Sequence, residues 1–486
     1  MGFKGKFILH AALTMVVAAC GSNAGTETGG ERKEEKTGDF TLWTTTADAR
    51  SLFSKNDKLH FENVYSTSGI TLTGERLQSV DGFGMAVTQS SCYNLLKMSA
   101  ADRTRFLREI FSREDGLGSS LIRVCIGGSD FSLSEFTWCD TEGIENFAVH
   151  RSDVEYLFPV LDEIYAINPD VKIIASPWSA PIWMKRGVNN DEPFPNWISG
   201  RLSPAHYADY ATYFVKWIQE MESRGYDIYA VTLQNEPLNK GNSMSMYMSW
   251  EEQRDFIKTA VGPAFREAGI KAKILLYDHN YDQSSYPLNI MKDSDAAQYV
   301  AGSAWHSYGG SVEVLDGVQK QFPDKEIYFT ESSIGKWNHV NFGDNFIADF
   351  REQFMGVLLR GGKGSVVWNL MLDKEGKPYR PCGCSTCYGA VTIGSDYSYG
   401  SIVRNTQYYF VAHCSRVLQP GAVRLGTAGT LPSGISLAVF GNPDGSLAAI
   451  VMNQGGSAQY VTLSSEKHTI RYSFPAGSVS SILWED

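Results

Sequence analysis

The chain has 486 residues, 43% of them hydrophobic and 20% charged, with a formal net charge of −11 at pH 7. That length exceeds one ordinary domain and supplies apolar side chains for a large core. The negative balance repels phosphates, which argues against nucleic acid as a partner and fits a neutral substrate.

Residues 1–38 read as an address. Lys4 and Lys6 precede a short apolar run, Phe7 to Ala19, too short to span a bilayer as a mature helix. The run ends in Val17-Ala18-Ala19-Cys20. Small residues before a cysteine resemble a bacterial lipoprotein signal, with residues 1–19 removed and Cys20 acylated. An ordinary signal peptide with an incidental cysteine is the alternative. Residues 20–38 are polar and Gly-rich and predict a flexible tether. No later segment is apolar enough to cross a membrane. A lipid anchor at Cys20 is therefore the one membrane attachment expected, placing an exported chain at the bacterial outer membrane, on its periplasmic or outer face.

Residues 39–75 carry "KLHFENVY" and "GITLTGE", alternating runs that predict strands of a β-sandwich. From residue 76 the rhythm changes. Short apolar runs alternate with amphipathic helical stretches: "RLQSVDGFG" (76–84), "SLIRVCI" (120–126), "VKIIAS" (171–176), "IYAVTLQ" (228–234), "AKILLYD" (272–278), "YVAGSAWH" (299–306), "EIYFT" (326–330) and "GSVVWNL" (364–370). Between them lie helix candidates such as 153–167 and 203–225. In the latter, Tyr207, Tyr210, Phe214 and Trp217 recur at three and four, and Ser203-Pro204 reads as a cap. Strands separated by helices predict parallel units, and eight of them predict a (β/α)₈ TIM barrel over residues 76–415. A doubly wound sheet is the rival, but no GxGxxG opens a helix; Gly82 to Val87 lacks the third glycine. Residues 416–486 alternate again, with Asn442-Pro443-Asp444-Gly445 as a hairpin turn. The sandwich is thus expected from both terminal segments, with the barrel inserted between them.

Seven of the eight cysteines follow Cys20, an odd number that argues against a complete disulfide framework. Cys92, Cys125 and Cys139 sit in apolar contexts and read as buried thiols. Cys382, Cys384 and Cys387 form "CGCSTC". Zinc would need a fourth ligand, and none follows at finger spacing. A loop disulfide and plain thiols are the other readings.

In a barrel, the active site lies at the C-terminal ends of the strands. There the sequence places Asp130 after the second run, Trp178 after the third, Asn235-Glu236-Pro237 after the fourth, His306 and Tyr308 after the sixth, Glu331 after the seventh and Trp368-Asn369 in the eighth. Two carboxylates facing one cleft, with aromatic side chains around them, suit glycoside hydrolysis. One must be protonated to serve the departing oxygen, and the other must be ionised to attack the anomeric carbon. The charge on Glu331 is expected to raise the pKa of Glu236 and so keep the two apart. Asn235 reads as a donor to a sugar hydroxyl. His306 reads either as a sugar contact or as a partner to a neighbouring carboxylate. HExxH, GxSxG and P-loop motifs are absent from the sequence, and no cofactor or metal is called for.

The stretches "DGFGMAVTQSSCYNLL", "LIRVCIGGSDFSLSEFTWCD", "IIASPWSAPIWMK", "AVTLQNEP", "AWHSYGG", "YFTESS" and "VVWNLMLDKEGKP" resemble glycoside hydrolase family 30, in order and spacing, over roughly residues 60 to 486. The resemblance implies a barrel with an attached sandwich and hydrolysis of β-glycosides with retention. It implies Glu236 as acid/base and Glu331 as nucleophile. It also implies Arg123, Asp130, Trp178, Asn235, Tyr308 and Trp368 as sugar-site positions. Gln89 stands where many members carry Asp. A surface lipoprotein of this kind is expected to cleave β-1,6-glucan. An exo-acting β-glucosidase or glucosylceramidase-like enzyme is the second reading, and a non-catalytic glycan-binding lipoprotein the third.

Overall fold

The computed structural model describes residues 38–63 and 69–485; the leader, Cys20 and nearly all of the tether read from the sequence lie outside them. Eight parallel strands form the central sheet: Gly82–Met85, Leu121–Cys125, Lys172–Ser176, Asp227–Thr232, Lys273–Asn280, Val300–His306, Glu326–Glu331 and Gly362–Val367. They neighbour one another in chain order, and the eighth pairs with the first. The seam between first and second closes through an Ala86–Arg123 bridge and a bond from the Val87 N–H to the Arg123 carbonyl at 2.8 Å. Gly84 makes that seam narrow: a Cβ there would lie 1.9 Å from the Leu121 carbonyl oxygen. A side chain at this position would push the barrel open.

Alternate strand residues turn inward. Leu121, Ile174, Ala230, Leu275, Ala304, Tyr328 and Val366 fill the lumen as one buried cluster. At the N-terminal end the plug is ionic. Lys273 and Lys363 donate to Glu326 at 2.7 and 2.9 Å, Lys172 pairs with Asp81 at 3.0 Å, and the Tyr328 hydroxyl donates to Asp81 at 2.7 Å. Outside the strands, helices bury one stripe each. Tyr207–Ser223 buries Tyr210, Phe214, Trp217, Ile218 and Met221, and full burial of such a side chain stabilises by about 1.5–3 kcal/mol.

The sandwich is a nine-stranded sheet that takes Phe40–Thr46, Ser54–Leu59 and Ile70–Ser79 from one end of the chain and six strands between Val423 and Glu485 from the other. Its inward faces share a separate core that includes Leu42, Val439, Val451, Phe474, Ile482 and Trp484.

Three sequence expectations shift. The run at 76–84 is two strands: Ile70–Ser79 pairs with Val423–Ala428 in the sandwich, and only Gly82–Met85 enters the barrel. Ser203 makes no capping hydrogen bond; Pro204 opens a 3₁₀ turn and the α-helix starts at Tyr207. The helix at 153–167 opens as a π turn, Asp153–Leu157, before the α-helix Phe158–Ile167. Pro159 explains the widening, because it has no N–H to give and its ring crowds the preceding turn.

Candidate active site

The fourth strand runs out into Asn235-Glu236-Pro237, and its exit is tied on both sides. The Asn235 N–H donates to the Pro177 carbonyl at 2.8 Å, and the Glu236 N–H donates to the Asp278 carbonyl at 3.0 Å. Glu236 adopts φ 44°, a left-handed conformation that a glutamate holds only where its surroundings enforce it. Asn239 Nδ2 then donates to Glu236 Oε2 at 2.8 Å. Glu331 is the last residue of the seventh strand. Arg123 Nη1 donates to its Oε2, and the Tyr308 hydroxyl donates to its Oε1 at 3.1 Å. One carboxylate oxygen of Glu236 and one of Glu331 lie within 4.8 Å of each other. An upper bound of 4.8 Å between one oxygen of each places the pair with the closely set carboxyls of retaining glycosidases, about 5–5.5 Å apart, rather than with those of inverting enzymes, about 6.5–9.5 Å apart.

Behind the pair stands Asp278, at the end of the fifth strand and fully buried. Its Oδ2 accepts from Arg123 Nη2 at 2.7 Å, Ser176 Oγ at 2.9 Å and Thr232 Oγ1 at 2.6 Å. Its Oδ1 accepts from Thr330 Oγ1 at 2.6 Å and faces His306 Nε2 at 3.0 Å. His306 Nδ1 in turn faces Glu236 Oε1 at 3.4 Å. Asp278 thus fixes both the arginine that holds Glu331 and the histidine that holds Glu236. Asp278 is not among the site residues that the sequence points to, nor are Ser176, Thr232 and Thr330. The signal was a charged residue in a run otherwise apolar, "ILLYD".

His306 and Arg123 both sit out of the cleft. His306 is fully buried with each nitrogen facing a carboxylate, which is the second of its two readings. Arg123 is spent on Glu331, Asp278, Asn235 Oδ1 at 2.7 Å and Ser176. With its oxygen taken, Asn235 has its amide N–H₂ left for a sugar hydroxyl.

The charge pattern overturns one expectation. Burial raises Glu236, but the His306 bond, the nearby His279 and the Asn239 bond outweigh it and hold the carboxyl down at about 2. Glu331 moves the other way, raised by burial and by Glu236 against the pull of His306 and Arg123. The proton absent from Glu236 sits on His306: burial lowers that imidazole, but the charges of Glu331, Asp278 and Glu236 push it up to about 9. Charge repulsion between the two glutamates alone does not set the pattern, because the cation between Glu236 and Asp278 is nearer.

The cleft holds about 510 Å³ and is lined by Asp130, Glu236, Asn239, Tyr308, Glu331 and Trp368, among others. Trp178 and Trp368 stack at 5.0 Å between ring centres, both almost fully buried. Buried polar atoms without a partner here include Trp178 Nε1, Asp130 Oδ1, His279 Nδ1 and Ser333 Oγ. Burial and the charges of Glu331 and Glu236 push the Asp130 carboxyl well above the usual range. Orphaned groups of this kind are what a bound hydroxyl satisfies. Gln89 Oε1 accepts the Leu133 N–H at 2.7 Å while its Nε2 is buried without a partner.

Cys384 and Cys387 form a disulfide in the loop that walls the cleft, and Cys382 is free and exposed. Cys92, Cys125 and Cys139 are buried free thiols. Among the described residues, the trio with ligand atoms close enough to share an ion is Glu236, His306 and Glu331. A cation there would have to displace the Arg123 guanidinium from Glu331 and the proton from His306.

The chain matches the Glycosyl hydrolase family 30 TIM-barrel domain over residues 80–418 and the family 30 beta sandwich domain over residues 421–482. It is 34% identical over 408 residues to the endo-1,6-β-D-glucanase BGN16.3 of Trichoderma harzianum, covering 80% of each chain. It is 26% identical over 441 residues to the lysosomal acid glucosylceramidase of Mus musculus, covering 86% of this chain and 84% of that one. A solved structure described as the endo-β1,6-glucanase BT3312 superposes with a TM-score of 0.89 at 47% identity, covering 93% of this chain and all of the other.

Proposed function

The chain belongs to glycosyl hydrolase family 30, and from that premise we propose that it is a retaining endo-β-1,6-glucanase with Glu331 as nucleophile and Glu236 as acid/base. The observation that carries the reading is the pair of carboxylates within 4.8 Å at the ends of the fourth and seventh strands. The 47% identity to a β-1,6-glucanase of the same fold supports the linkage. In the reaction, Glu331 attacks the anomeric carbon from below the sugar ring. Arg123 and Tyr308 keep it ionised and aimed. Glu236 delivers a proton to the departing oxygen, drawing on the one stored at His306 Nδ1, then takes a proton from the water that releases the glycosyl group. Side-by-side assays on a linear β-1,6-glucan, an aryl β-glucoside and glucosylceramide test the substrate. A ladder of β-1,6-linked oligosaccharides appearing early from the glucan is expected. Release of glucose alone, or preferred cleavage of glucosylceramide, would overturn the assignment.

The stored proton makes a pH prediction. As pH falls, Glu331 is protonated through its raised pKa and the nucleophile is lost; as pH rises through about 9, His306 loses the proton that Glu236, already ionised, draws on. The profile of kcat/KM is expected to be a bell with its alkaline limb near 9. The groups facing His306 are Glu236, Asp278, Glu331, His279 and Tyr308. His306→Gln removes the cation, leaves Glu236 to burial and to Glu331, and moves the alkaline limb to lower pH. A limb that stays near 9 in that variant assigns it to another group.

We propose in addition that the chain is exported and held by lipid at Cys20. The support is the small-residue run before that cysteine; no helix among the described residues is long and apolar enough to cross a membrane. Cys20→Ser is expected to release active enzyme into the soluble fraction. Retention of the variant in the membrane fraction would show that something else attaches it.

A further inference from the structure

Of the side chains that line the cleft, Asp130 and Trp368 are at most 5% exposed. Trp337, in the loop after the seventh strand, also lines the cleft yet is 49% exposed. Of the eleven tryptophans it is the one left largely in water, where an indole forfeits the free energy its burial would yield.

The ring is nonetheless held. A Cβ on Gly335 would lie 2.0 Å from Trp337 Cζ3 and 2.5 Å from Cη2, so the six-membered edge of the indole rests on the glycine backbone. Gly335 pairs with Cys387 in a two-stranded ribbon, and the Lys336 N–H donates to the Thr386 carbonyl at 3.0 Å. The Cys384–Cys387 disulfide secures the other side of that ribbon. Asn338 Oδ1 accepts the Gly335 N–H at 3.3 Å, and His339 bonds Asp349 at 2.6 Å. An exposed aromatic ring on a fixed support beside a catalytic pair is built to be covered by a ligand.

We propose that Trp337 is the platform of the aglycone subsite, on which the glucosyl unit on the leaving side of the scissile bond lays its apolar face. The proposal rests on the reading of the chain as a β-1,6-glucan hydrolase. The glycone ring must sit over Glu331, where the buried Asp130 and Trp368 also line the cleft, and the departing unit lies toward the exposed Trp337. A 1,6 linkage makes the platform valuable. Its extra methylene adds a rotatable bond between the two rings, so the leaving ring is not positioned by the bound one. A rigid surface offsets the entropy of ordering it.

The test compares two substrates of the wild-type enzyme and of Trp337→Ala: a β-1,6-linked glucose trisaccharide, and β-glucosyl fluoride, whose leaving group has no ring. The measured quantity is the ratio of their kcat/KM values. Removing the platform should lower the trisaccharide-to-fluoride ratio about tenfold, and Trp337→Phe should restore most of it. Gly335→Ala, which drives a methyl group into the indole, should lower the ratio while the tryptophan is still present. A ratio within twofold of wild type in Trp337→Ala overturns the proposal, whether both rates fall or neither does. Wild-type enzyme that cleaves the fluoride but not the trisaccharide overturns the β-1,6 reading beneath it, and the platform with it.

Discussion

Glu331→Gln is expected to lose turnover by on the order of 10⁴-fold or more while keeping the fold. The substitution preserves shape. A glutamine carbonyl can still accept from Tyr308 or Arg123, and Arg123 keeps Asp278, Asn235 and Ser176 as partners. What disappears is the charge that forms the bond to the anomeric carbon, and Glu236 is given to the leaving group. Circular dichroism and a melting curve close to wild type would locate the loss in chemistry. A variant keeping more than about a tenth of the wild-type rate would sink the nucleophile assignment, because covalent steps are not that dispensable.

Glu236→Ala is expected to sort substrates by their leaving groups. Glycosides that depart as alkoxides need a proton and should slow by about 10²–10⁴-fold. Activated aryl glycosides, whose phenolates leave unaided, should form the glycosyl-enzyme nearly as before and then stall, because water has lost its base. Azide needs no base and fits the space the carboxyl vacates. It should restore turnover of the aryl substrate and give a β-glycosyl azide, the product retention requires. Equal loss for good and poor leaving groups, with no effect of azide, would make Glu236 a carboxylate that merely shapes the turn after the fourth strand.

The parts of this site that show in the sequence are those whose position follows from the strand they end. Glu236, Glu331, Asp130, Trp178 and Trp368 all sit at ends of runs marked by apolar content. Asp278 does not show, because its importance is spatial: it collects donors from the second, third, fourth, sixth and seventh strands, and none of these is near it in sequence. The low pKa of Glu236 was illegible for the same reason, since it depends on which way the His306 ring faces. In sequence nothing sets Trp337 apart from the other tryptophans, and only its exposure distinguishes it. Among the elements, periodicity located the second to eighth barrel strands to within a few residues. It could not separate 70–79 from 82–85, because both stretches are strands and the turn between them belongs to neither sheet.

The strand Ser478–Glu485 lies between Phe40–Thr46 and Ser446–Asn453 and pairs with both. Thr44 and Ser480, 436 positions apart, share a hydroxyl contact at 3.0 Å. A ribosome or an export channel delivers these partners at opposite ends of its working time. The barrel has all eight strands by Val367 and can close early, whereas Phe40–Thr46 must wait for nearly the whole chain. A chain cut short before residue 478 therefore carries a closed barrel and two bare sheet edges, and its sandwich core lacks Ile482 and Trp484. Such edges pair with other strands. The same strand that completes the sandwich thereby also covers the two edges that would otherwise invite pairing with other chains, at a point in the fold remote from any chemistry.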